Sequence, residues 1–185
     1  MNTSTKNQAL QADLSDATEL AERISAYQRG TIEEERFKHF RLTRGVYGQR
    51  QQGVHMFRTK LPLGRITVAQ LRMMAILSNN YATGNLHPTT RQNIQFHYVK
   101  LENTPAIWEA LASVGFNARE ACGNTVRNIT ASPFAGIDPE EPFDVGPYAM
   151  ATYQHFLRNP VCQEMGRKVK MAFSSSVRDT AYSYF

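Results

Sequence analysis

The chain has 185 residues, 42% hydrophobic and 20% charged, with a net charge of +5. That length buries one core, or one and part of a second. No apolar run reaches the ~18 residues of a membrane span, and the polar start Met1-Asn-Thr-Ser-Thr-Lys-Asn-Gln8 lacks the apolar centre of a secretion signal. Two cysteines without such a signal imply reduced thiols and a cytoplasmic protein. Cys122 and Cys162 are also too few and too far apart to hold a zinc ion or an iron–sulfur cluster alone. The basic balance favours anionic ligands without choosing among phosphate, nucleic acid, carboxylate-rich cofactors and small oxyanions.

Residues 1–12 are polar and read as a disordered tail. A helical arm follows over 13–43. Ala17, Leu20, Ala21, Ile24 and Tyr27 recur at helical spacing, and Arg29-Gly30 ends that helix. Thr31 is placed to cap a second helix over 32–40, with Glu33, Glu34 and Glu35 in a first turn that favours negative charge. Strands are expected over 47–51 and 54–61, meeting at Gly53. Thr67 caps an amphipathic helix over 68–81, with Leu71, Met74, Ala75 and Leu77 toward a core, and Gly84 stops it. A strand over 87–98 comes next. Pro105 opens a helix through 114, with Ile107, Trp108 and Leu111 inward, and 118–121 gives a further short strand. The succession strand, strand, helix, strand, helix resembles a ferredoxin-like α/β sandwich over 44–118. The fold class is therefore α+β.

A second, incomplete α/β unit occupies 119–185. Gly123-Asn-Thr-Val-Arg-Asn128 reads as a polar turn into a short helix, 131–147 as an exposed loop, 147–157 as a helix and 168–173 as a strand. Ser176 is placed to cap a helix that has barely begun where the sequence stops at Tyr184-Phe185. Ending on two aromatics in mid-element implies a natural protein that continues or pairs with another chain.

The most informative stretch is His87-Pro-Thr-Thr-Arg-Gln-Asn-Ile-Gln-Phe-His97. If 93–98 is extended, Asn93, Gln95 and His97 share one face, and Ile94, Phe96 and Tyr98 the other, which can be core. Arg91 falls on the polar side. A half-solvated strand gives the same alternation, so the stretch needs support from elsewhere. Three further clusters supply it: Arg58 in His55-Met-Phe-Arg-Thr-Lys60, Arg127 in Gly123-Asn-Thr-Val-Arg-Asn128, and Lys168 with Lys170 in Gly166-Arg-Lys-Val-Lys170. On a strand, Lys168 and Lys170 point the same way and Val169 the other.

These four motifs, in this order, resemble the N-terminal part of the sirohaem-dependent sulfite and nitrite reductases, over about 40–185. The resemblance implies a six-electron reduction of sulfite to sulfide or of nitrite to ammonia. It implies a sirohaem whose iron binds the anion and a [4Fe–4S] cluster joined to it through a shared cysteine thiolate. The electron donor would be a ferredoxin or a flavoprotein. By the same resemblance, Arg58, Arg127, Lys168 and Lys170 line the anion pocket. Arg91, Asn93 and Gln95 hold the cofactor, with Asn124, Thr125, Arg127 and Asn128 of the polar turn. The chemistry suits such residues. Sirohaem carries eight carboxylates, arginine offers planar forked donors, and lysine ammonium groups can pass protons while offsetting the substrate's charge.

The family's four cluster cysteines form a Cys-x5-Cys and Cys-x3-Cys pair in its C-terminal half, and this sequence has no such pair. The ligands and the axial thiolate are expected outside this chain. Sulfite and nitrite are both small oxyanions calling for the same shell. Two other readings stand beside this one: a non-catalytic sirohaem or tetrapyrrole carrier, and a single-stranded nucleic-acid module in which Phe96 and Tyr98 would stack bases. Against the last, both aromatics are expected on the core face.

Overall fold

The computed structural model describes residues 3–178 and 181. α1 (Thr3–Gln28) and α2 (Glu34–Thr43) form the N-terminal arm. The disordered tail expected over 1–12 is corrected from Thr3 onward, where α1 begins. This stretch holds no Gly or Pro and several strong helix formers, and Leu10 and Leu14 pack against the core beside buried Ala17, Leu20 and Ile24. Thr31 does not cap α2. Its hydroxyl donates to the Ala26 carbonyl at 2.8 Å and closes α1, while Glu33 occupies the α2 N-cap without a side-chain bond.

Four strands, β1 (Val46–Gly48), β2 (Val54–Arg58), β3 (His87–Pro88) and β4 (Ile94–Lys100), form an antiparallel sheet in the order β1-β2-β4-β3. α3 (Val68–Tyr81) and α4 (Thr104–Ser113) cover one face, and α1 packs on α4. α3 occupies the span its sequence predicts because its start is coded locally: Thr67 and Gln70 form a reciprocal capping box. Trp108, Phe57 and Phe96 meet edge to face at the centre, with centroids 6.1–6.3 Å apart. This is the α+β sandwich that the succession of elements predicts.

Four local readings change. The strand expected over 87–98 is a hairpin, β3–turn–β4, because Gln92 adopts a left-handed conformation at φ 56° and Thr89 closes the turn to Asn93. Tyr98 is not core: it too is left-handed (φ 60°) and 48% exposed. Its irregularity, matched by a register shift between His55 and Phe57 on β2, brings Val99 inward beside Phe96. Residues 118–121 turn rather than pair, since Glu120 is left-handed and its N–H donates to the Thr43 carbonyl. The turn at 123–125 leads into a strand, β5 (Val126–Ala131), not a helix.

β5, α5 (Gly146–Phe156) and β6 (Val169–Phe173) make a βαβ unit with β5 and β6 parallel. Its separate core includes Val126, Ile129, Ala131, Val145 and Ala149. The helix expected from Ser176 lies largely outside the described residues. The arm is held to this unit as well as to the sandwich: Arg158 pairs with Asp13 and Asp16, and Arg119 with Asp16 at 2.8 Å. Among the described residues no helix is long and apolar enough to cross a membrane.

His55 on β2 is half-buried, with an Nδ1 that has no partner. Burial, and then the Arg41 charge, push its imidazole down to about 4. The unfolded chain takes up this proton near pH 6.5. The stability His55 contributes as a neutral ring is therefore present above that pH and lost as pH falls toward 4. Asp13, held by burial at about 6, opposes this by gaining stability as pH falls, so the test is a difference: between pH 6.5 and 4, denaturant titrations should show wild type losing stability relative to His55→Gln.

Candidate anion and cofactor cleft

Arg58 closes β2 directly opposite Gln95 of β4, and Gln95 stands opposite His87 of β3. One row across the sheet thus carries a guanidinium, an amide and an imidazole. With the Gln95 amide oxygen facing Arg58, it accepts from Nη2 and Nε at 2.6 and 3.0 Å, and the amide nitrogen donates to His97 Nε2 at 3.1 Å. Gln95 is buried, so Arg58 is held on a fixed acceptor. His97 and His87 stack, with ring nitrogens 3.1 Å apart. Burial, then His87 and Arg58, keep the His97 pKa below its usual value.

The turn between β3 and β4 reaches across to the second unit. Arg91 Nη2 donates to the carbonyls of Asn128 (2.6 Å) and Met171 (3.1 Å). The Gln92 amide makes a two-way pair with the Ala131 backbone. In return, Asn128 Nδ2 donates to the carbonyls of Leu61 and Arg91. Asn93 Oδ1 accepts from Leu61 N at 3.3 Å. These bonds seat β5 and β6 against the edge of the sandwich and place Arg127 on β5, and Lys168 and Lys170 beside and on β6, around one opening. Arg127 Nη2 donates to the Ala121 carbonyl.

The result is a cleft of about 290 Å³ lined by Arg58, Arg91, Arg127, Lys168 and Lys170, with Thr89, Thr90, Asn93, Gln95 and Asn128 between them. Five of its lining residues are cationic and none is acidic. Burial lowers the pKa of Arg91 and Arg127, and the Arg127 charge adds to the effect on Arg91, yet guanidinium groups stay protonated. Buried Arg127 Nε and Asn128 Oδ1 have no partner in the wall. An acid-free shell of cations with an unused donor fits a small oxyanion or a ligand fringed with carboxylates, and sirohaem offers the second.

The structure thus gathers eight of the ten residues singled out from sequence: Arg58, Arg91, Asn93, Gln95, Arg127, Asn128, Lys168 and Lys170. It does not bring Asn124 and Thr125 to the cleft. Thr125 is buried, its hydroxyl donating to the carbonyls of Glu120 and Cys122. Asn124 lines a separate depression of about 420 Å³ with His39 and Met165. Thr89 and Thr90 line the cleft unanticipated, although they begin the same Thr-Thr-Arg motif. Cys122 and Cys162 are both buried free thiols. Among the described residues no group of three or more His, Cys, Asp or Glu side chains could hold a metal ion.

Fold and cleft together define a ferredoxin-like sandwich joined to a βαβ unit, with an acid-free basic cleft at their seam. Residues 47–114 match the nitrite/sulfite reductase ferredoxin-like half domain, and 122–185 the nitrite and sulphite reductase 4Fe-4S domain. A sulfite reductase [ferredoxin] of Mycolicibacterium paratuberculosis is 32% identical over 155 residues, covering 75% of this chain and 28% of that protein. The assimilatory ferredoxin-dependent nitrite reductase of Haloferax mediterranei is 36% identical over 154 residues, covering 76% and 26%. The solved structure of the Mycobacterium tuberculosis NirA protein superposes with a TM-score of 0.78 at 28% identity, covering 91% of this chain and 34% of that one. The chain belongs to the nitrite and sulfite reductase family and spans about a quarter of the length of the curated relatives it matches.

Gly45 controls the position of Arg58. It sits at φ +76°, its carbonyl accepts from Arg58 N at 2.9 Å, and a Cβ there would lie 2.5 Å from the Arg58 carbonyl oxygen. Gly45→Ala should cost on the order of 1–3 kcal/mol in thermal unfolding.

Proposed function

We propose that the full-length protein reduces sulfite to sulfide or nitrite to ammonia by six electrons, and that this chain supplies the basic shell for a sirohaem and its bound anion. The supporting observation is the acid-free ring of five cations at the seam between two family domains. A [4Fe–4S] cluster, with ligands beyond this chain, and sirohaem would supply the electron transfer and the iron that binds the anion.

In this reading each wall of the cleft has its own task. The guanidinium groups of Arg58 and Arg127 and the ammonium groups of Lys168 and Lys170 offset the anion's charge, which counts for more in a site that excludes water. The Lys168 and Lys170 Nζ groups, exposed at the mouth, pass protons inward and recover them from solvent. Arg91 commits Nη2 to the backbone of the second unit. Its remaining guanidinium nitrogens face the cofactor carboxylates, while Asn93, Gln95 and Asn128 brace the wall through bonds to Leu61, Arg58 and Arg91. A ferredoxin is the electron donor suggested by the relatives' names.

Full-length protein purified with sirohaem tests this. Arg127→Ala and Lys168→Ala should each lower kcat/KM for sulfite and nitrite about 10- to 100-fold, as expected for loss of a hydrogen bond to a charged group, while the sirohaem absorption band persists. Full-length protein that shows no such band when supplied with sirohaem would sink the proposal.

A further inference from the structure

Lys60 and Glu120 form an ion pair at 2.6 Å, and their side chains are 1% and 0% exposed. The pair lies between the chain segments that carry two arginines of the cleft, Arg58 and Arg127. Lys60 lies two residues beyond Arg58, and its ammonium also donates to the Val126 carbonyl at 3.0 Å, immediately before Arg127. Glu120 lies immediately before Ala121, whose carbonyl accepts from Arg127. The other Glu120 oxygen accepts from Arg158 N (2.7 Å) and Gln163 Nε2 (2.6 Å), so the carboxylate is fully engaged. Both the backbone and the guanidinium of Arg127 therefore hang on groups tied to Lys60, and Lys60 is tied through two peptide units to Arg58.

Stability alone is a weak reason for this pair. Taking two charges out of water costs several kcal/mol each, and well-packed apolar replacements of buried pairs are often no less stable. Geometry is a stronger reason. Arg58 and Arg127 approach the same cleft as like charges, and without a ligand they repel. Apolar packing is non-directional and would let the two strands slide. Four directed side-chain bonds at Lys60 and Glu120 do not.

We propose that Lys60–Glu120 is a positioning pair that fixes Arg58 of the sandwich against Arg127 of the βαβ unit and so sets the anion affinity of the cleft. The proposal rests on the anion-site reading above.

The test uses full-length, sirohaem-containing protein with nitrite and sulfite as probes. Lys60→Met/Glu120→Leu removes both charges and leaves neither unpaired. Its KM for both anions should rise about tenfold, within the range of coupling carried by packed networks, with sirohaem content close to wild type and a Tm lowered by the partners left at Val126 and Arg158. Wild-type KM in this folded double variant overturns the proposal. If the double variant fails to bind sirohaem, Glu120→Gln carries the test. It keeps the volume but sets an amide N–H against the Arg158 and Gln163 donors. Tm falls because the buried Lys60 ammonium loses its counter-ion; a KM raised about threefold in protein that still carries sirohaem supports the pair's role, and an unchanged KM overturns it. Arg127→Ala separates the two levels. If it too leaves KM at wild type, the anion-site reading fails; if it raises KM while the pair variants do not, only the positioning role fails.

Discussion

Five cationic side chains converge on a cleft of about 290 Å³ that none of its lining carboxylates balances, for it has none. At this spacing they repel one another, and partial burial strengthens the repulsion by lowering the effective dielectric. A folded chain can tolerate such an arrangement only if the framework is rigid enough to hold it without a ligand. Much of the architecture around the seam reads as an answer to that requirement. The cations are carried on short strands and tight turns, and their backbones are fixed by hydrogen bonds that run between the two units.

The seam is held by polar bonds between the two units. Arg91, Gln92 and Asn128 exchange side-chain bonds with backbone carbonyls and amides of the opposite unit. Such bonds are directional, so they specify register as well as adhesion. The charges that do find partners lie on the far side of the same junction. Asp16 pairs with Arg119 and Arg158, Gln163 links Arg119 to Glu120, and Glu120 meets Lys60. A continuous polar network thus runs from the N-terminal helix to the strand that carries Arg127. The arm that reads as an appendage in the sequence is a structural buttress of the second unit.

This arrangement explains why a segment about a quarter of its relatives' length can present a recognisable site wall. The basic shell is assembled from residues 58 to 170, all within the two matched domains. Both cysteines of the chain are free and buried. What this segment carries is electrostatic: five cations around one cleft.

The sequence by itself determined the features whose causes are local. α3, α4 and α5 lie within a residue or two of their expected bounds, because capping residues and Pro at the first turn act over three or four positions. The cations and most amides of the cleft were legible as well, through the resemblance of their four motifs to the family, since charge spacing alone left a solvated surface equally open. Tertiary structure decided what depends on distant partners. Gln92, Tyr98 and Glu120 adopt left-handed backbone that their residue types do not encode, and each departure turns a chain direction: a hairpin, a face switch and an inward carboxylate. Asn124 and Thr125 look like cleft residues by proximity to Arg127, yet the turn directs them elsewhere. The pairing of Lys60 with Glu120 spans sixty residues and could not be read from any local pattern. It exists only because packing the βαβ unit onto the sandwich removes both groups from water and leaves each the other's nearest compensation.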